Sequence, residues 1–318
     1  SFIIDDEAVV EQPVINEEAG TIVFAVNEEV ESLKFTPIIE ISEGATITPA
    51  SGVAQDFSNN KKVTYTVTAE DGTVKVYTAF VEGTRKVLKY SFEDWKEGTK
   101  NDELLPKDLW AGSAAGAGIL GGTLLRKETR EDGTYAAKLI TFEYPNEPNS
   151  LVPKITAGSI FIGKFDMMPA LQGDRLSCTK FGLDAETVSL GGKPLRFKGV
   201  YKYESGSNYL DASNYEDVKP VDIKDKGQIQ AVLYKVQTGE DGKEIVLTGH
   251  DVNTSELRVA VANIIVEDIK EYTPFNIEFE YLQEYDRTAK YKFAIICSSS
   301  KDGDLFKGAG GSTLIVDE

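Results

Sequence analysis

The stretch YKFAIICSSSKDGDLFKGAGGSTLIVDE, Tyr291 to Glu318, decides how this chain is read. Tyr291, Phe293, Ile295 and Cys297 alternate along one apolar face, the period of two that marks a strand. Three serines follow, and Ser312 to Val316 forms a last β-rich run that delivers Asp317. The connection between them carries Gly303, Gly308, Gly310 and Gly311, more glycine than a turn alone needs. Glycine accepts positive φ and lets backbone approach a neighbour closely. The segment is therefore either a crowded hairpin loop or part of a ligand- or ion-binding rim.

Working outward, strand signals dominate the chain. The first 83 residues hold β-branched runs at Thr21–Val26 and Val63–Thr68, and Asp71-Gly72 separates two β-rich arms as a hairpin turn would. About seven short strands fit there, an immunoglobulin-like β-sandwich over residues 1–84. From residue 87 to 318 the expected strands are Lys86–Phe92, Ala136–Phe142, Ser159–Asp166, Leu195–Glu204, Gln228–Gln237, Phe275–Leu282, Tyr291–Ser299 and Ser312–Val316. Eight antiparallel candidates spaced by long polar loops point to a larger jelly-roll sandwich. No long amphipathic helix and no alternation of strands with helices is seen. The fold class is all-β.

The 318 residues include 34 basic and 52 acidic side chains, a formal net charge of −18. Such a surface repels phosphate backbones and anionic head groups, so nucleic acid is excluded as the expected partner. Hydroxyl-rich ligands remain open. No apolar run is long enough for a membrane helix. The chain begins at Ser1 without a signal-like segment, and is read as a mature or trimmed form. Cys297 falls on the apolar face of its strand, which makes it a buried thiol.

Several pieces carry a family resemblance: FEDW (Phe92–Trp95), TAGSIFIGKF (Thr156–Phe165), FKGVYKYESG (Phe197–Gly206), IQAVLY (Ile229–Tyr234) and SSSKDGDLFKGAGGSTLIVD (Ser298–Asp317). Together, and in this order, they resemble the bacterial family called the putative carbohydrate metabolism domain, over residues 87–318. The first 84 residues look like the immunoglobulin- or cadherin-like modules that precede such domains. The resemblance implies an exported cell-envelope protein, an outer-membrane surface lipoprotein anchored outside the given sequence, with a role in polysaccharide utilisation. Its expected partner is an oligo- or polysaccharide.

Candidate site residues follow from chemistry and loop position. Aromatic rings match the apolar face of a sugar, and Trp110, in a small-residue-rich loop, is the leading platform, with Tyr201 and Tyr203 on one face of their strand. Each has burial in the core as the competing reading. Lys301, Asp304 and Lys307 in the terminal loop are placed to bond sugar hydroxyls, unless they merely solvate a hairpin tip. Glu93 and Asp317 lie on the first and last strands of the expected jelly roll, where two carboxylates in proximity call for a compensating cation or proton; a structural calcium is the candidate cofactor, unless either acid simply faces solvent.

Catalytic signatures are sparse. His250 is the only histidine and no nucleophile elbow accompanies it, which disfavours a Ser-His-Asp hydrolase and a zinc site. Glycoside hydrolysis needs just two carboxylates. Glu93, Asp102, Glu103, Asp304 and Asp317 stand near candidate loops, so a hydrolase is the alternative to a glycan binder, and an adhesive surface protein is the third class.

Overall fold

In the computed structural model, which describes residues 1–149 and 151–318, the chain forms two compact units, Ser1–Leu88 and Lys89–Glu318. Strand dominates both, and the all-β β-sandwich class expected from the sequence is the one observed.

The first unit is built on a five-stranded sheet ordered Val9–Asn16, Thr21–Asn27, Val74–Arg85, Val63–Thr68 and Thr46–Thr48. Thr21–Asn27 and Val74–Arg85 run parallel; the other pairs are antiparallel. Phe24, Phe35 and Phe57 meet in its core, with Phe24 edge-on to the other two at 5.8 and 5.1 Å. The hairpin expected at Asp71-Gly72 is present, but only Gly72 takes positive φ. The turn closes from the Gly72 amide to the Ala69 carbonyl at 2.9 Å, so the loop is longer than a two-residue turn.

The second unit packs two large sheets face to face. One has nine strands, with the path Leu247–Thr248, Thr179–Phe181, Ser159–Phe165, Tyr291–Ser298, Gly227–Lys235, Arg258–Val266 and Glu280–Tyr281. Trp110–Gly112 and Leu183–Asp184 pair onto it at the side. The other is ordered Leu125–Thr129, Tyr135–Ile140, Thr313–Asp317, Arg196–Glu204 and Ile269–Glu278. All pairings in both sheets are antiparallel.

Period-two alternation sets which side chains meet between the sheets. Ile229, Ala231 and Leu233 from one strand, and Phe293, Ile295 and Cys297 from its neighbour, face Leu139, Tyr203, Phe275, Leu314 and Val316 from the opposing sheet. Burying those rings and branched chains, at about 1.5–3 kcal/mol each, is what holds the sheets together. Cys297 sits in this core, and burial pushes its thiol up to about 12.

The nine-stranded sheet is covered on its other face as well. Phe161, Phe181, Val232, Tyr234, Leu247, Val252, Ala294 and Ile296 form a second cluster there. Sidedness on both faces explains why Tyr291–Ser298 is buried along nearly its whole length instead of alternating with solvent.

Two expectations change at the start of this unit. Residues 86–92 form no strand; Phe92 is buried all the same, and the pairing begins at Trp95–Lys96 with Glu103–Leu104. Arg258–Val266, absent from the sequence reading, is the long neighbour of Gly227–Lys235.

Candidate binding cavity

The second face of the nine-stranded sheet is where the terminal loop comes to rest. The Tyr291–Ser298 strand ends there, and the loop is held by an aspartate the sequence reading did not single out. Asp225, 2% exposed, accepts hydrogen bonds at one carboxylate oxygen from Ser300 Oγ (2.6 Å), Ser312 Oγ (2.7 Å) and the Ala309 amide (2.8 Å). Its other oxygen takes the Lys226 amide at 2.8 Å. Burial nevertheless raises the Asp225 pKa, against the pull of these donors. Ser299 completes the clamp, 2.7 Å from Thr141 Oγ1 and accepting the Gly158 amide at 2.9 Å. A Cβ at Gly308 would lie 2.4 Å from Ser300 Oγ, so glycine is required for this approach.

Held in this way, the loop walls a cavity of about 170 Å³. Its apolar lining includes Phe181, Ile296, Val252, Phe165 and Phe306. Gln228 and Gln230 project from the sheet, because they alternate with the core-facing Ile229. Gln230 donates to Asn253 Oδ1 at 3.3 Å, and Asn253 donates to Asp304 Oδ2 at 3.5 Å. Burial raises the Asp304 pKa, with the nearby Asp302 charge adding to it. Lys301 also lines the space, its ammonium bound to both Asp302 oxygens at 2.7 and 2.6 Å.

Phe306 is a backbone outlier. It follows a short 3₁₀ turn, Gly303–Leu305, with φ +58° and ψ +38°, a left-handed conformation that is costly for a bulky residue. The conformation places its ring 4.4 Å from the Arg175 guanidinium carbon. Arg175 Nη1 is buried with no hydrogen-bond partner, and burial lowers the pKa of the group.

The residues expected from sequence divide sharply. Lys301 and Asp304 line the cavity. Lys307 does not: its strand pairs with Tyr209–Asp211, and its ammonium bonds Asp211 at 2.7 Å. Trp110 is corrected to a core residue, 5% exposed, with its ring 5.3 Å from Phe92 and 6.4 Å from Tyr90. Small residues around it reflect close packing of the Trp110–Gly112 strand, where a Cβ at Gly112 would lie 2.4 Å from the Ser159 carbonyl oxygen. Tyr203 is 2% exposed between the sheets and donates to the Ser299 carbonyl at 3.0 Å. Tyr201 is half-buried against Phe275 at 6.3 Å, on the core side of the other sheet. None of the three offers a bare ring as a sugar platform.

The acidic pair is also rearranged. Asp317, 4% exposed, is ion-paired with Arg130, which supplies the compensating charge that the sequence reading gave to calcium. Glu93 is exposed and accepts the Tyr135 amide at 3.1 Å. Among the described residues no group of three or more His, Cys, Asp or Glu side chains is arranged to hold a metal. His250 stands 2.7 Å from Asp174 Oδ1, and Ser177 Oγ donates to the other oxygen of the same aspartate at 2.6 Å. Both groups end on one carboxylate, so the histidine does not bridge serine and aspartate as a hydrolytic relay requires.

The fold and the cavity define a two-unit all-β protein whose larger sandwich carries a ligand-sized space beside its last hairpin. The chain belongs to the family described as "Putative carbohydrate metabolism domain", which matches residues 60–318. Residues 1–81 match the family described as "SGBP, N-terminal". Among solved structures, a putative glycoside hydrolase from Bacteroides thetaiotaomicron VPI-5482 is 30% identical, with a TM-score of 0.62 over 100% of this chain and 94% of that one. A second putative glycoside hydrolase, from Bacteroides vulgatus ATCC 8482, is 27% identical, with a TM-score of 0.58 over 72% of this chain and 95% of that one. No curated protein matches. The chain is thus a carbohydrate-associated protein, and no helix among its described residues is long and apolar enough to cross a membrane.

Proposed function

We propose that this protein binds glycans at the bacterial cell surface through the cavity beside the terminal loop, without turning them over. The observation that carries the reading is the make-up of that cavity: an apolar lining crossed by Gln228, Gln230, Asn253, Asp304 and Lys301. Sugars present the same mixture, hydroxyls around a ring with apolar C–H faces, and sites of this kind orient a ligand with a few polar groups. An engineered cavity of about 150 Å³ admits benzene, so about 170 Å³ suits one six-membered ring of a longer chain.

Binding is favoured over hydrolysis by the supply of acid. Glycosidases flank the scissile bond with two carboxyl groups, whereas Asp304 is the one carboxylate among the described residues lining the cavity. Asp102, an earlier candidate, is spent on the Gly98 and Lys127 amides at 3.0 and 2.8 Å. Surface location is part of the proposal, supported by the SGBP-type first unit, and a lipid anchor is part of it on the family resemblance alone.

A second reading rests on apolar exposure. Met168 and Leu171, 58% and 61% exposed, sit on the Met168–Leu171 turn whose Ala170 lines the cavity. Such a rim suits adhesion to another protein.

Affinity electrophoresis against a polysaccharide panel, with reducing-sugar release measured on the same panel, separates these readings. Retardation by a glycan, lost in Gln230→Ala and without sugar release, supports the binder. Release of reducing ends makes the protein a hydrolase, and neither retardation by nor release from any glycan removes both in favour of adhesion.

A further inference from the structure

We propose that the cavity selects sugars carrying an oxyanion, a carboxylate or a sulfate, and that Arg175 is the residue that reads it. The inference rests on the glycan-binding reading of the same cavity and names the ligand class within it.

The chain holds 52 acidic side chains against 34 basic ones, so an arginine without an acid beside it is out of keeping with its surroundings. Arg175 has no ion pair among the described residues, burial lowers its pKa, and Asp304 is the one carboxylate that shares the cavity lining with it. Asp174, its chain neighbour, is engaged by Ser177 and His250 instead. The second cation at the cavity, Lys301, is already neutralised by Asp302. One guanidinium is therefore left with unmet capacity, and its buried Nη1 has no acceptor.

A buried charged donor without a partner is destabilising, and a charge-assisted bond to an arriving anion would relieve it. The planar fork of arginine matches the paired oxygens of a carboxylate or sulfate, and its central carbon lies 4.4 Å over the Phe306 ring. The strained backbone at Phe306 is what holds that ring in place. Gln228, Gln230 and Asn253 offer amides for the neutral hydroxyls around it. The strong negative charge of the whole chain works against anions at long range, so discrimination has to come from this local contact.

Calorimetric titration of the full chain decides the matter, using oligogalacturonates, the same oligosaccharides after carboxyl reduction, and chondroitin sulfate oligosaccharides. The acidic form is expected to bind about ten- to a hundred-fold tighter than its reduced counterpart, the range of a charge-assisted hydrogen bond. Chondroitin sulfate carries a uronate carboxylate beside its sulfate, so binding to it that is lost on desulfation identifies the anion as sulfate and equally supports the proposal. Arg175→Gln should erase the preference, so that the acidic sugar binds no tighter than its reduced counterpart, and Arg175→Lys should keep part of it. Equal binding of acidic and reduced forms, or a preference that survives Arg175→Gln, overturns the role of Arg175 while sugar binding stands. Absence of binding to these sugars and to every neutral glycan removes the glycan reading itself. The comparison of acidic and reduced sugars on the unmodified protein holds even where a variant fails to fold.

Discussion

The Arg175 guanidinium carbon lies 4.4 Å from the centroid of the Phe306 ring, and Phe306 reaches it only from a left-handed backbone. A bulky residue in that conformation gives up roughly 1–2 kcal/mol that glycine would not. Phe306→Gly and Phe306→Ala should both weaken sugar binding by removing the ring. They should differ in stability, with the alanine variant about 1 kcal/mol less stable than the glycine variant in urea unfolding. Equal stabilities would mean that the backbone there is relaxed.

Asp304 should be a position where stability is sacrificed. Burial raises its folded-state pKa, so the unfolded chain ionises first as pH rises. Its contribution is most favourable below the unfolded value, near pH 4, and is lost as pH climbs through the folded value. Asp304→Asn should therefore melt higher than the parent at pH 7, with the gap closing toward pH 4 in paired thermal scans. A gap that widens on acidification would contradict the sign.

Asp225 gathers three donors on one oxygen, and Asp225→Ala leaves two hydroxyls and an amide without their acceptor. A loss of about 2–4 kcal/mol in urea unfolding is expected, from several unmet groups at about 1–3 kcal/mol each with partial relief by water. Sugar affinity should fall with it, because the same loop carries Lys301, Asp304 and Phe306 to the cavity.

Arg130→Met should destabilise the second unit by about 3 kcal/mol, since it strands the buried Asp317 carboxylate. With Arg130 in place, calcium added to the parent protein should leave the melting temperature unchanged. A rise on calcium addition, abolished by Glu93→Gln, would restore the cation assigned from sequence.

The strands were legible where β-branched and aromatic residues repeat, as in Ser159–Phe165, Arg196–Glu204 and Tyr291–Ser298. Arg258–Val266 carries an equally plain signal, with five β-branched residues in nine, although it is not among the expected strands. For 86–92 the apolar content was real but no partner strand lies beside it. Glycines of the terminal loop serve close packing, as at Gly308 against Ser300, and Lys301 and Asp304 from the same loop line the cavity. Trp110 misled because small neighbours read as an open loop when they serve close backbone packing. Arg175, Gln230 and Asp225 left no local trace: each acquires its role from chain segments far away in sequence, which no short motif records.

The bonds that converge on Asp225 make the last hairpin part of the rigid frame of the sheet. Ordering of a loop on ligand capture normally subtracts from affinity; here that subtraction is small. The Ala309 amide should exchange with deuterium as slowly as those of the central strands, and its rate should stay the same when a sugar occupies the neighbouring space.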